Sequence, residues 1–530
     1  MTGPIIPEFS MYEGQLDRYE LEDLDRRTRQ TAKGQKDRFR DFTDILLEYV
    51  GSGEWQKRST GFVVMCAKAS YLRGMYGYNQ ALAKGSTSQV AKAFASAAYC
   101  RQSLDPRWLS RLRNHVNSLW QSKDYIGFAE TSGQLASVLI DLGYTDQARE
   151  VANDSITRAT EATVHNVDLR NRVQAVLLDA RITLAHIAGT TKSIEEALIR
   201  LDAAEEAARH FDNSLALANI QYCRAYVLMD SHEYEEAEVL IGSALKKFEM
   251  MGYLQGVANA RNIRGLMLLR NGQFQDARDQ FEETLLIQQQ LSNQIGVART
   301  LINVGEIDRR LGQLEQMEVY NKRALEISHE AEYMRGMAVA MLNLGDIAVR
   351  RGDLDSAKRY YEDAHTITER SGMKEEQCLA LSQLADLAYM RREFERSVDL
   401  ATQATRTAQE ISYPLYVFHG LVTTLIAEWE MDLPPDRTSQ SAVRAIMDSN
   451  GEWADENALE LMRGVRRQVF EDPSLESSTC ILYDSDKNFE CRADRTSAGK
   501  ECFGNLLWTG SLCPYFRRFL SKLRGEADPT

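Results

Sequence analysis

Gly265, Gly305 and Gly345 stand 40 residues apart, and Ala385 continues the series. A second column, Gly272, Gly312 and Gly352, keeps the same step. Phe274, Leu314, Leu354 and Phe394 make a third column, and Ala324, Ala364 and Ala404 a fourth. Four columns sharing one period mark an array of one repeated unit, which buries its apolar faces by stacking copies on one another. In such a chain, function is expected on a surface built by several units rather than in a catalytic pocket.

One copy shows the unit. From Gly336 to Arg350, apolar residues recur at helical spacing through Met341, Leu344, Ile347 and Ala348. Arg351-Gly352-Asp353 interrupts the pattern, with Gly352 placed to take the left-handed conformation that ends a helix. Leu354 to Arg370 predicts a second amphipathic helix carrying Leu354, Ala357, Tyr361, Ala364 and Ile367. Antiparallel helices approach closely only where one lacks a large side chain, so Gly345 is expected where Ala357 and Tyr361 cross it.

Leu344, Gly345, Ala357, Tyr361 and Ala364 together resemble the tetratricopeptide repeat. The 40-residue step is similar to the long-helix variety found in polarity scaffolds, kinesin light chains and bacterial peptide-responsive regulators. The resemblance implies an all-α, right-handed superhelical solenoid of antiparallel helix pairs. Earlier copies fall at Ala225 with Ala237 and Ala244, and at Ala185 with Ala197 and Ala204. Ala136 with Ala148 lies a further 49 residues back, so an insertion is expected near residues 155–175. Two copies depart from the pattern, with Met317 and Asn321 in one and Ser397 and Ala401 in the other. The array is placed at residues 126–430.

No proline lies between Pro106 and Pro414, which suits uninterrupted helices. Gly256, Gly296 and Gly336 form another column at the period, and they are expected after a long second helix, ahead of the next first helix.

The flanks read differently. Residues 1–37 are expected to be loosely ordered through Glu20 at least, with Pro4 and Pro7 opposing helix. Residues 38–125 predict a helical bundle with apolar stripes at Phe42, Ile45, Leu46 and Tyr49 and at Trp108, Leu109, Leu112, Val116 and Trp120. Its expected role is to cap the array, since solenoid ends need covering. The alternative is a DNA-binding helix-turn-helix using Arg26, Arg27, Arg29, Lys33, Lys36, Arg38 and Arg40. Against it, Asp23, Asp25, Asp37 and Asp41 are interleaved with those cations.

Residues 431–530 make an irregular helical and Cys-containing tail, opened by Pro434-Pro435. Cys480, Cys491, Cys502 and Cys513 recur every 11 residues without the close pairs that zinc sites show. They are read as ordinary thiols, with a metal or redox site as alternatives. Pro514 to Arg524 predicts a short basic amphipathic helix, expected to fold back onto the acidic array. An anionic membrane or a partner's groove is its other possible seat. Cys66, Cys100, Cys223 and Cys378 lie in apolar helical contexts and read as core.

The net charge of -14 argues against nucleic-acid binding by the array. No apolar run is long enough to span a bilayer, and the first residues lack an apolar signal core, so a cytoplasmic location is expected. No H-E-x-x-H, G-x-S-x-G or Gly-rich phosphate loop occurs, and the eight histidines hold no ligand spacing. No enzyme activity, cofactor or metal is expected.

Candidate contacts are therefore sought on the first helix of each pair. Asn303, Asn343 and Gln383 stand two residues before the small position, where amides suit the backbone of a bound peptide. Arg270, Arg310 and Arg350 stand five after it and suit an acidic peptide. Glu306, Asp346 and Asp386 follow the small position directly, so Glu306 with Arg310 and Asp346 with Arg350 would equally be intrahelical pairs. The expected function is a non-enzymatic scaffold or adaptor that binds a protein or peptide partner in the concave groove. The alternative is a peptide- or partner-sensing signalling or transcriptional regulator whose array controls a terminal segment.

Overall fold

A computed structural model describes residues 5–31, 38–103, 105, 107–190, 194–231, 233–411 and 413–431. Among these residues every regular element is a helix. A 3-10 helix, Pro7–Gln15, comes first. The flanking bundle follows: α1 (Arg18–Thr31), α2 (Arg38–Ser52), α3 (Thr60–Leu72), α4 (Tyr76–Gly85), α5 (Gln89–Gln102) and α6 (Arg107–Gln121). The paired helices begin with α7 (Tyr125–Asp141), α8 (Thr145–Ala162), α9 (Val167–Thr190) and α10 (Ile194–His210). They continue through α11 (Ser214–Asp230), α12 (Tyr234–Met251), α13 (Leu254–Arg270), α14 (Phe274–Gln290) and α15 (Gln294–Arg310). Last come α16 (Leu314–Glu330), α17 (Met334–Arg350), α18 (Leu354–Ser371), α19 (Lys374–Met390), α20 (Phe394–Glu410) and α21 (Pro414–Glu430). Odd-numbered helices from α7 to α19 are the first members of pairs. The chain divides into two units, residues 1–307 with 326–334, and residues 308–325 with 335–530.

The repeat unit follows from its small residues. A Cβ at Gly345 would collide with the ring of Tyr361, and one at Gly265 would stand 2.7 Å from Cε1 of Phe281. Tyr361 is 1% exposed and shares a core with Ala357, Ala364, Ala380 and Leu384. Burying an aromatic ring of this size contributes about 2–3 kcal/mol. Its hydroxyl escapes the usual cost of burial by donating to Asp346 at 2.6 Å. The two departures from the pattern are compensated by hydrogen bonds. Asn321 is fully buried and donates to the Met317 carbonyl at 2.8 Å. Ser397 donates to the Ala385 carbonyl at 2.9 Å.

Gly272, Gly312 and Gly352 end their helices at φ of 73°, 71° and 77°, as the left-handed reading requires. Arg392 occupies the same position one copy later at φ 61°, a conformation that costs an L-residue with a side chain about 1–2 kcal/mol.

Two expectations are corrected and a third is given its form. Gly256, Gly296 and Gly336 lie inside the first turns of α13, α15 and α17, not ahead of them. There the end of the preceding helix comes close, with Phe248 Cγ 2.7 Å from where a Gly256 Cβ would be. The extra residues expected before Ala185 are mostly taken up by α9, which runs 24 residues where α11, α13 and α15 run 17. The described part of the N-terminus is not loose. Ile5, Ile6, Phe9, Met11 and Tyr12 are all buried, and the Phe9 ring lies 5.4 Å from that of Phe42. Pro7 stands in the first turn, where its missing N–H breaks no helical bond, so it starts this helix rather than opposing it.

The charged run around α1 pairs within the bundle. Buried Asp23 accepts from Arg58 at 2.8 Å, from Arg26 and from the Tyr49 hydroxyl, while Arg29 pairs with Asp25 at 2.7 Å. Cys66, Cys100, Cys223 and Cys378 are free thiols and buried, as expected of core residues. The cysteine-spaced tail and the basic Pro514–Arg524 segment lie outside the described residues. Among the described residues, no helix is long and apolar enough to cross a membrane.

Candidate functional site

In the first unit, buried polar links tie the bundle and the N-terminal segment to the paired helices. Lys68 of α3 pairs with Glu130 of α7 at 2.6 Å and donates to the Glu8 carbonyl at 2.9 Å. Glu8 Oε1 accepts from the backbone N–H groups of Ser214 and Leu215, at 3.0 and 3.4 Å. A carboxylate there meets the positive end of α11 and satisfies N–H groups that the helix cannot. Arg172 of α9 donates to the Met11 carbonyl at 2.9 Å. Arg101 of α5, 5% exposed, pairs with Asp141 at 2.8 Å, donates to Ser137 at 3.0 Å and reaches the Tyr71 hydroxyl. Each link fills an otherwise orphaned buried polar group, so losing one partner costs more than the bond itself.

A cavity of about 190 Å³ lies behind these links. The bundle contributes Tyr71, Tyr76 and Arg101 to its wall. First helices contribute Gln134, Ser137 and Asp141 from α7, Asp179, Thr183 and His186 from α9, and Asn219 and Tyr222 from α11. Gln255 and Asn259 come from α13, Arg299 from α15, and Tyr253 from the turn before α13. The lining is rich in amides and tyrosines, a surface that both donates and accepts.

Four of these residues share one repeat position. Asp179, Asn219, Asn259 and Arg299 stand 40 residues apart, six before the small residue of each copy. They lie four residues from the column containing Asn303 and therefore on the same helix face. Among the described residues, no hydrogen bond engages the Asp179 carboxylate or the Asn219 amide. Burial raises the carboxyl of Asp179 above its ordinary range, and Lys68 offsets this only in part. Burial also pushes Lys68 down to about 8. One lysine thus serves Glu8, Glu130 and Asp179 together. Asn259 accepts from Gln255 at 3.0 Å and keeps its own NH₂.

The residues expected from sequence are placed as follows. Asn303 is half-buried and donates to Asn262 at 2.7 Å. Asn343 donates to buried Asn321 at 2.8 Å. Gln383 is 6% exposed. Arg270 donates to the Met229 carbonyl at 3.1 Å, at the C-terminal end of the preceding first helix, where a cation is favoured. Arg310 and Arg350 are half-buried. Asp386 faces Thr423 and His419 of α21, each at 3.4 Å. Asn303 and Asn343 thus carry the same offset from the small position but hold neighbouring helices together. Sequence reasoning missed the column four residues earlier, although its step of 40 is equally regular in Asp179, Asn219, Asn259 and Arg299.

Residues 256–330 and 336–410 match the tetratricopeptide repeat family model. No curated protein matches the chain in sequence. Among solved structures, it is similar to a STAND signal-transduction ATPase with a tetratricopeptide repeat sensor from Pyrococcus horikoshii. Identity is 16%, with 68% of this chain and 54% of that one covered, at a TM-score of 0.40. The chain therefore spans about half the length of that protein. It is also similar to the Rap conjugation gene regulator of plasmid pLS20, solved with the Phr* peptide. There identity is 13%, coverage 65% and 96%, and the TM-score 0.45. A Rap protein complexed with competence and sporulation factor matches at 14% identity, 61% and 99% coverage, and a TM-score of 0.38. At these values the likenesses say nothing about what this chain binds.

Proposed function

We propose that this chain, which carries tetratricopeptide repeats, is a non-enzymatic binding protein that takes a peptide segment into the cavity of its first unit. The observation that carries the reading is the aligned polar column on the cavity wall. Asn219 lacks a hydrogen bond among the described residues and Asn259 retains donors, so both can pair with the amides of an extended chain. Asn219 is half-buried, and an apolar ligand covering it would leave its amide unpaired, so a peptide that supplies partners is favoured. The earlier candidates, Asn303, Asn343 and Arg270, already have donors engaged by Asn262, Asn321 and the Met229 carbonyl. That favours the cavity column over those residues as the place of peptide contact, in a protein-interaction scaffold or a peptide-sensing protein alike.

The test is equilibrium binding of a random heptapeptide mixture to the full chain. Asn259→Tyr fills the cavity and is expected to abolish binding while leaving the unfolding free energy within about 0.5 kcal/mol of the parent. Binding that survives this substitution would place the ligand elsewhere.

A further inference from the structure

The cavity wall has a polarity that peptide binding alone does not require. Along one repeat position, Asp179, Asn219, Asn259 and Arg299 put a carboxylate at one end, two amides between, and a guanidinium at the other. A short peptide with free termini presents the complementary order of ammonium, backbone amides and carboxylate. We propose that the cavity recognises a short peptide by its free ends, with the amino terminus on Asp179 and the carboxyl terminus on Arg299. This rests on the peptide reading above.

The two ends are built unlike ordinary surface charges. Asp179 is half-buried against the cavity and accepts no hydrogen bond among the described residues. Lys68 is the cation that acts on it, yet Lys68 is already engaged by Glu130 at 2.6 Å and by the Glu8 carbonyl. An arriving ammonium would therefore give Asp179 its first close partner, through a charge-assisted bond. At the other end, Arg299 is 33% exposed, and its contact with Asp141 is 3.8 Å, too long for a hydrogen bond. Asp141 is meanwhile held by Arg101 at 2.8 Å. The Arg299 fork thus retains donors for the bidentate geometry a carboxylate offers.

Length follows from the repeat. Packed helices stand about 8–10 Å apart and an extended peptide advances about 3.3–3.6 Å per residue. Three steps from α9 to α15 then span about seven to nine residues. This is an upper bound, because Arg299 reaches back to Asp141 of α7. A free amino acid or a diamine would satisfy only one end of the column.

The experiment titrates the full chain with random heptapeptides in three forms: free, N-acetylated and C-amidated. Putrescine is the fourth probe. Acetylation and amidation are each expected to weaken binding about tenfold or more, the usual weight of a hydrogen bond to a charged group. In Asp179→Asn the free and acetylated mixtures should bind equally, and in Arg299→Gln the free and amidated mixtures should bind equally. The two variants report independently, so misfolding of one leaves the other decisive. If blocked and free mixtures bind the parent alike, recognition of the ends is wrong while the peptide reading stands. If no mixture binds, the peptide reading fails and takes this proposal with it. Putrescine binding that depends on Asp179, with no binding by peptides, would make the site one for diamines and overturn the proposal.

Discussion

The same repeat position is polar in the first unit and apolar in the second. Asp179, Asn219, Asn259 and Arg299 line a cavity, while Val339 and Leu379 occupy the equivalent places in α17 and α19. Leu379 packs against the core around Ala357, Tyr361 and Leu384. In α19 the polar residues Gln377, Ser382, Gln383 and Asp386 are buried, and α21 brings Thr423 and His419 onto Asp386. One repeat architecture therefore has two uses. In the second unit the first-helix face is consumed by packing within the fold. In the first unit it is left half-exposed behind a bundle held by buried polar links. What the copies share builds the fold, and where they diverge lies the face proposed to bind.

The comparison can be broken most sharply at the link that holds the bundle to α7. Lys68→Met leaves buried Glu130 and half-buried Asp179 without their cation and is expected to cost about 3–5 kcal/mol in denaturant unfolding. A loss below 1 kcal/mol would mean that water already reaches these carboxylates and that the Lys68 link does not hold the bundle to α7.

Packing in the second unit comes next. Gly345→Leu should cost about 2–4 kcal/mol, because its side chain must enter the space held by the Tyr361 ring. An unchanged thermal midpoint would contradict the close crossing on which the repeat register rests.

The amides then separate the two units directly. Asn343→Ala removes the partner of buried Asn321 and should cost about 1–2 kcal/mol. Asn219→Ala removes an amide with no hydrogen bond among the described residues and should stay within about 0.5 kcal/mol. Equal losses would erase the distinction between a structural and a ligand-facing amide.

The smallest expected effect is a pH dependence. The folded-state carboxyl of Asp179 is raised above 3.8, so folding holds its proton more tightly than the unfolded chain does. Stability is then lost as pH rises through the raised value. Asp179→Asn should unfold at a higher midpoint than the parent near neutral pH, and this gain should vanish below pH 3.8. A gain that persists in acid would point to packing rather than charge.

The fold was legible because its causes recur. Gly345 beneath Tyr361, left-handed Gly352 and a second helix ending at Ser371 beside the expected Arg370 all follow from columns at one period. The insertion before Ala185 was visible as an offset, but its form as extra turns of α9 was not, because helical periodicity does not say where an existing helix begins. The buried N-terminal segment is not legible in the sequence, because a proline reads equally as a helix breaker and as the first-turn residue that Pro7 is. The site was half legible. The proposed column shares its helix face with Asn303 and Asn343 and is as regular in its step of 40, but its chemistry changes from Asp179 to Arg299, so no repeated residue type marks it. Which face position a fold consumes depends on what packs over it, and the bundle and α21 do so without any repeat to announce them.

Amide hydrogen exchange of the full chain, with and without the free random heptapeptide mixture, tests the central claim most directly. Bound peptide is predicted to slow exchange in α9, α11 and α13 and to leave α17 and α19 unchanged. Protection confined to α17 and α19 would contradict it and return the binding surface to Asn343 and Gln383.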